Sequence, residues 1–295
     1  MRYAGKTAVD DLSLQVARGS ITAVLGPNGA GKTTTLETCE GYRRPQEGRV
    51  RVLGLDPVRE RRELLPRIGV MLQGGGAWSG VRAEEMLRHV AALHAHPVDH
   101  DLLVERLGLA ECGRTPYRRL SGGQQQRLGL AMALVGRPEI VFVDEPTAGM
   151  DPQARRTTWE LLEELRGDGV TVVLTTHYMD EAEQLTDRLV VMDKGLVVAE
   201  GSPLQLIREH STREVAELRF GVAEPGAGHD RHVERVADLA ERVEVLPDRL
   251  LLYTADGEET LAKVHERGLE PVATLVRRAT LEDVFLRLTG RTLVD

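Results

Sequence analysis

Short apolar runs recur through the first two-thirds of the chain, separated by stretches with helical spacing. ITAVL from Ile21, IGVML from Ile68, IVFVD from Ile140 and VTVVLTT from Val170 are rich in β-branched residues and apolar at successive positions. That is the pattern of strands buried on both faces of a parallel sheet. RLVVMDKGLVVAEG, from Arg188, places Lys194-Gly195 between two further apolar runs and reads as a hairpin closing the sheet near Gly201. Between Gly80 and Arg137 the β pattern gives way to EEMLRHVAAL, LLVERLGL and QQQRLGLAMALVG. Their apolar residues fall at helical spacing, which predicts a helical insertion.

From about Ser211 the pattern restarts. It predicts a strand (VAELRF), a helix (HVERVADLA), two strands around Pro247-Asp248 (VEVL and RLLLYT), a helix (EETLAKVHERG), a strand (PVATLVRR) and a last helix. GVAEPGAGHD, from Gly221, is a loop by composition. The order suggests a small ferredoxin-like α+β domain over 211–295, following a first domain over 1–210 whose helical subdomain spans about 80–137.

Hydrophobic residues at 41% and charged residues at 28% exclude a disordered chain, and the 3% of aromatics leaves the cores to Leu, Val, Ile and Ala. A net charge of -8 disfavours a broad nucleic-acid or anionic-membrane footprint, so no nucleic-acid partner is expected. Cys39 and Cys112 form no CxxC pair, which argues against a disulfide framework or zinc ribbon and fits a reducing compartment. Asp10 and Asp11 stand where a secretory signal would need an apolar core, and no apolar run approaches the ~20 residues of a spanning helix. A soluble chain is expected, and any membrane role would run through separate spanning subunits.

Gly26-Pro27-Asn28-Gly29-Ala30-Gly31-Lys32-Thr33 follows a predicted strand and opens the helical TTTLETCEGY. This is the context a phosphate-binding P-loop requires. The glycines let backbone amides turn inward around phosphate oxygens, the helix N-terminus adds positive potential, and Lys32 neutralises phosphate charge. Thr33 would offer a hydroxyl to Mg²⁺, and Thr34 joins the same nucleotide-binding run. Ile140–Glu145 is an apolar strand ending in two carboxylates, the Walker B arrangement. Asp144 is placed to hold the metal, and Glu145 to polarise an attacking water as general base.

Leu120-Ser121-Gly122-Gly123-Gln124 precedes a helix, and here the chain resembles the ATP-binding subunits of ABC transporters, whose signature is LSGGQ. The P-loop, Gln73 after a strand, the signature, the Walker B strand, GMDP and His177 after a strand occur in the family's order over about the first 200 residues. The resemblance implies a P-loop NTPase fold, with an ABC ATPase core and helical subdomain, plus the small α+β domain. It implies Mg-ATP hydrolysis in a head-to-tail homodimer or heterodimer, where Ser121, Gly122, Gly123 and Gln124 of one subunit cover nucleotide held by the other.

By the same resemblance Gln73 touches metal or water and senses the permease, Asp151 contacts the opposite site, and His177 holds the γ-phosphate. On the residues alone Gln73 is equally a loop amide, Asp151 a helix N-cap before Pro152, and His177 a structural histidine. Tyr3 resembles the family's adenine-stacking aromatic, which a β-strand normally precedes. This chain starts too late for that strand, so the true start lies upstream or the sheet edge is shortened. GMDP stands where the family usually has GLDP.

His89, His94, His96 and His100 lack the accompanying Cys or tetrahedral pattern of a metal site and read as surface imidazoles. Leu281, Val284, Phe285 and Leu288 share one helical face, as a core helix requires. Yet ATLEDVFLRLTGR also resembles the end of the daunorubicin-resistance branch of drug exporters, paired with ABC-2 type permeases. The reading is an ATPase subunit on the inner face of the cell membrane, cytoplasmic and peripheral through its permease, powering export of a small hydrophobic compound. The rival is a soluble ABC ATPase acting on nucleic acid or the ribosome, which a single P-loop and the absence of heptads disfavour.

Overall fold

The computed structural model describes residues 1–3, 6–72, 76–220 and 230–290. The chain divides into two compact units, Met1–Pro203 and Leu204–Thr292. In the first, a short antiparallel pair, β1 (Arg2–Tyr3) and β2 (Lys6–Thr7), precedes β3 (Ile21–Leu25) and α1 (Lys32–Cys39). Next come α2 (Arg61–Leu64), β4 (Ile68–Met71), α3 (Ala83–Ala91), α4 (His100–Arg106) and α5 (Gly122–Leu134). The unit is completed by β5 (Ile140–Asp144), α6 (Pro152–Gly167), β6 (Thr171–Thr176), α7 (Met179–Leu185), β7 (Arg188–Asp193) and β8 (Leu196–Gly201). α8 (Pro203–His210) begins at the junction of the two units.

The six-stranded sheet runs β4-β5-β6-β3-β7-β8, with every pair parallel except β7 and β8. Every residue of β3, β5 and β6 is buried, which is why these segments are near-continuous apolar runs rather than alternating ones. Val24, Leu36, Ile140, Phe142, Val173 and Val190 interlock in one core on a sheet face. Parallel direction sends the carboxyl ends of β3, β4, β5 and β6 to one edge, where α/β sheets place their ligands. Between residues 80 and 137 lie the helices α3, α4 and α5, with Leu87, Leu103, Leu128 and Leu130 buried.

The closing hairpin also forms. Lys194 and Gly195 have φ of 50° and 84°, the left-handed pair that a two-residue turn between twisted strands demands. Its tip reaches the phosphate-loop segment: Gly195 N donates to Ala30 O at 3.0 Å, and Asp10 N donates to Gly195 O at 2.8 Å. A Cβ on Gly195 would stand 2.9 Å from the Ala8 carbonyl oxygen, so the approach needs glycine.

The second unit contains β9 (Glu214–Arg219), α9 (Asp230–Val236), β10 (Arg242–Leu246), β11 (Arg249–Thr254), α10 (Gly257–Glu266), β12 (Ala273–Arg278) and α11 (Leu281–Thr289). Its sheet order is β10-β11-β9-β12, all antiparallel, with Leu246 opposite Arg249 across the Pro247-Asp248 turn. Successive strand residues face opposite ways. Ala216, Leu218, Leu250 and Leu252 pack with Val236 and Val264, whereas Val215, Leu251 and Tyr253 pack with Leu286 of α11. Leu281, Val284 and Phe285 are buried and Leu288 is half-buried. Of the expected loop GVAEPGAGHD, residues 221–229 lie outside the described residues and Asp230 opens α9.

The tail helix is also locked by charge. Asp283, only 2% exposed, accepts two hydrogen bonds from Arg277 (2.7 and 2.9 Å), one from Tyr253 Oη (3.0 Å) and one from Thr280 N (2.8 Å). Arg277 Nε also donates to Glu217 (2.6 Å), which Arg249 binds from its other side (3.0 Å). Burial alone would raise the Asp283 carboxyl, but the Arg277 and Thr280 bonds hold it below the usual carboxylate range. Its contribution is therefore full above the unfolded carboxylate range near pH 4 and is lost as pH falls through its lower folded value. We expect Asp283→Ala to destabilise this unit by about 3 kcal/mol at neutral pH, because it strands Arg277. Urea unfolding followed by circular dichroism checks this, and the difference from wild type should shrink below about pH 4.

Candidate nucleotide site

The run Gly26–Thr33 forms the bend from the carboxyl end of β3 into the first turn of α1. Gly31 caps the helix at φ 106°, and a Cβ there would stand 2.3 Å from Ala8 O, so both conformation and space require glycine. Ala30 N donates to Pro27 O at 3.0 Å and tightens the bend. Asn28, Gly29 and Thr33 are exposed at its mouth, Thr34 is half-buried, and Pro27 and Ala30 are buried. The first amides of α1 have no carbonyl one turn back to bond, and together with the helix dipole they favour an anion.

Lys32 is buried, and its Nζ donates to the carbonyls of Gly26 (2.5 Å) and Pro27 (3.2 Å). Burial pushes the ammonium below the ordinary lysine range, against the opposing pull of Glu145 and Asp144. Asp144 closes β5 and is 9% exposed. Burial raises its carboxyl, the hydrogen bond from Thr175 Oγ1 works against that, and the Glu145 charge adds to the rise.

Glu145 adopts φ 51°, a conformation that costs a non-glycine residue roughly 1–3 kcal/mol and needs surrounding bonds to persist. Thr175 supplies them: Glu145 N donates to Thr175 O (3.1 Å) and Oγ1 (3.2 Å). The twist carries Glu145 Oε1 to 3.3 Å from His177 Nδ1, just beyond the end of β6. The His177 ring lies 4.2 Å from that of Tyr178, over which the Arg155 guanidinium sits at 4.0 Å.

Adjacent strand ends thus gather Lys32, Asp144, Glu145 and His177 into one cluster. A buried cation and free amides can hold phosphate. The Asp144 carboxylate and Thr33 hydroxyl are hard oxygen donors, and they fit magnesium better than a soft metal. A carboxylate paired with an imidazole can take a proton from water.

Ser121 and Asp151 make capping bonds within their own turns. Ser121 Oγ accepts from Gln124 N (3.3 Å) while Ser121 N donates to Gln124 Oε1 (2.9 Å), a capping box on α5. Asp151 accepts from Gln153 N (3.0 Å) and Ala154 N (2.9 Å) at the start of α6. The two turns are neighbours: a Cβ on Gly123 would lie 3.5 Å from Met150, and one on Gly122 3.8 Å from Gly149 O. Tyr3 belongs to β1, but its side chain, like the whole of Gln73, lies outside the described residues.

Two residues of this site escaped the motif reading. Thr175 was hidden because strand periodicity does not say which hydroxyl meets Asp144. Glu40, 5% exposed, follows Lys32 and Leu36 at four-residue steps along α1 and so shares their inward face. That spacing was the available signal.

A family model described as ABC transporter matches residues 9–148, and one for the C-terminal domain of the nodulation factor export protein NodI matches 227–290. The daunorubicin resistance ATP-binding protein DrrA3 of Streptomyces coeruleorubidus is 40% identical over 98% of this chain and 93% of its own length. The chain belongs to the ABC transporter family. Within that family it is an ATP-binding subunit with ATPase chemistry. The Nod factor export ATP-binding protein I of Paraburkholderia xenovorans is also 40% identical, over 99% of this chain and 95% of its own length. Among solved structures, the dimeric ABC transporter cassette MJ0796 superposes with a TM-score of 0.61 at 27% identity, covering 66% of this chain and 90% of that one. Among the described residues no helix is long and apolar enough to cross a membrane.

Glu40 yields a pH prediction for this ABC subunit. Burial first, then the charges of Asp144 and Glu37, push its carboxyl from 4.5 up to about 7. The folded state therefore holds a proton that the unfolded state releases, so stability falls as pH rises between those values. Replacement by Gln removes this penalty. We expect Glu40→Gln to match wild type near pH 4 and to exceed it at pH 8 by a few kcal/mol, on the order of 3, in denaturant titrations.

Proposed function

We propose that this ATPase drives export of a small hydrophobic compound through a separate ABC-2 type permease, working in a pair of nucleotide-binding subunits. The observation that carries this reading is the extent of the likeness. Identity to a daunorubicin resistance protein and to Nod factor export proteins runs through both units, and the second matches the NodI C-terminal domain. The first unit carries the nucleotide chemistry. The second, whose strand and helix order is that of a ferredoxin-like domain, serves the exporter branch and begins within 203–211. The subunit sits on the cytoplasmic face of the membrane by way of its permease.

In this reading the amides of Gly26–Thr34 cradle the phosphates of ATP, and Tyr3 stacks on the adenine. Lys32 exchanges its two carbonyl partners for phosphate oxygens, so the carbonyls act as a parking place for the ammonium. Thr33, Asp144 and Gln73 would hold Mg²⁺, which supplies charge neutralisation at the phosphates when bound. Glu145 takes the proton of the attacking water, and His177 orients that carboxylate and contacts the γ-phosphate. The positive φ at Glu145 accompanies the approach of its carboxylate to the His177 ring, so that the two groups act side by side. Ser121, Gly122, Gly123, Gln124 and Asp151 of the second subunit cover the nucleotide from the other side. Closing and opening of that pair is the two-state element that the permease reads.

Glu145→Gln keeps size and loses the base. Steady ATP turnover should fall roughly 100-fold or more while ATP affinity is retained. Light scattering should then show a doubled mass only with Mg-ATP, and undiminished turnover or a monomer under both conditions would count against the reading. Export itself is tested by co-purification with an ABC-2 permease and stimulation of turnover by an apolar cargo. A chain that associates with ribosomes or nucleic acid and with no permease would overturn it.

A further inference from the structure

The segment from Glu145 to Asp151 and the turn carrying His177 leave neighbouring strands, β5 and β6. A buried carboxylate that no motif covers lies between them. Glu181, in the first turn of α7, is 0% exposed. Its Oε1 accepts from Thr147 Oγ1 at 2.9 Å and from Trp159 Nε1 at 3.0 Å. Thr147, also 0% exposed, follows Glu145 by two residues, and its carbonyl accepts from Met150 N at 3.1 Å. It therefore belongs to the turn that delivers Asp151. Trp159 belongs to α6, the helix that Asp151 caps. α7 starts directly after His177 and Tyr178, and Arg155 of α6 reaches both the Tyr178 ring (4.0 Å) and Asp180 (3.3 Å).

A carboxylate is a costly way to pack two helices, since an apolar residue would fill the space without desolvating a charge. Burial pushes the Glu181 carboxyl above its ordinary range, and the Thr147 and Trp159 bonds, with the nearby Arg155, oppose the rise. What the carboxylate adds over an apolar residue is two directional bonds to two different elements from one oxygen.

We propose that Glu181 is a positioning residue of the ATPase: by bonding Thr147 and Trp159 together it fastens the Glu145–Asp151 turn to the helix that follows His177, so that both loops are held in one geometry. The inference rests on the reading of Glu145 and His177 as the hydrolytic pair. Glu181 touches neither nucleotide nor water itself. It acts by keeping the Glu145 and His177 side chains in register, and it links that pair to Asp151, the residue assigned to the opposite site.

The test uses the full chain with four substitutions. Glu181→Leu removes both bonds, Thr147→Val and Trp159→Phe remove one each with little change of shape, and Glu181→Gln keeps the accepting oxygen. Glu181→Leu and Thr147→Val should lower kcat roughly 10- to 100-fold, since small misplacements of reacting groups cost that much. KM for ATP should change much less than kcat, because the amides of Gly26–Thr34 and Lys32, which cradle the phosphates, lie outside this linkage. Glu181→Gln should retain most of the activity, and adding Thr147→Val to Glu181→Leu should cost little more, as expected for one shared interaction. Amide hydrogen exchange should quicken together in 147–151 and 178–182 in Thr147→Val, although the substitution touches only the first segment.

Should Glu181→Leu fail to fold, Thr147→Val and Trp159→Phe still decide. Unchanged kcat in folded variants, a Gln variant as impaired as the Leu variant, or exchange confined to 147–151 would overturn the inference. Failure of the underlying reading shows separately, as lack of Mg-ATP turnover in the unaltered chain, and the exchange experiment still tests the fastening.

Discussion

A buried ammonium faces two carboxylates across the ends of β3 and β5, and neither side is at ease in the folded chain. Burial depresses Lys32 and raises Asp144; their mutual attraction works against both shifts, while the Glu145 charge opposes the first and adds to the second. The arrangement stays folded because local bonds take up the strain: two carbonyls hold Lys32, and one threonine, Thr175, serves both Asp144 and Glu145. Such a cluster is more favourable once further charge enters. An anion beside Lys32 and a cation beside Asp144 would each satisfy a group that the protein alone desolvates, so binding and local stability are coupled.

Much of this was legible in the sequence because buried parallel strands announce themselves. ITAVL, IVFVD and VTVVLTT have no alternation, and all their residues within β3, β5 and β6 are buried. The phosphate loop was legible for a related reason, since backbone conformation is written locally in glycines such as Gly31. What stayed hidden depends on side chains meeting across elements. Nothing in the TT pair before His177 says that Thr175 serves Asp144, and nothing in DEAEQ says that Glu181 is buried. A run of acids is ordinarily a solvated face. Here Asp180 is exposed and Glu181 is not, a difference decided by which side of α7 meets α6.

The C-terminal motif carries a similar lesson. ATLEDVFLRL resembles a branch marker, but its individual residues are explained by packing: Leu281, Val284 and Phe285 are core, Thr280 and Asp283 cap α11, and Arg277 holds Asp283. A segment can mark a lineage because it solves a folding problem common to that lineage. Leu288 shares the core face by its spacing yet is only half-buried, which is expected near a helix end where the capping Gly290, at φ 70°, turns the chain away.

The bond between the hairpin tip and the phosphate loop has a consequence in time. The loop is made early, yet Gly195, which braces Ala30, and β6 and β7, which flank β3, are synthesised about 150 to 170 residues later. At a ribosomal pace of about 5–20 residues per second, the loop waits on the order of ten seconds for its supports. During that interval β3 has an apolar surface and no sheet. The earliest motif to leave the ribosome is among the last to acquire its shape, and a nascent chain becomes competent for nucleotide only when the first unit is nearly complete.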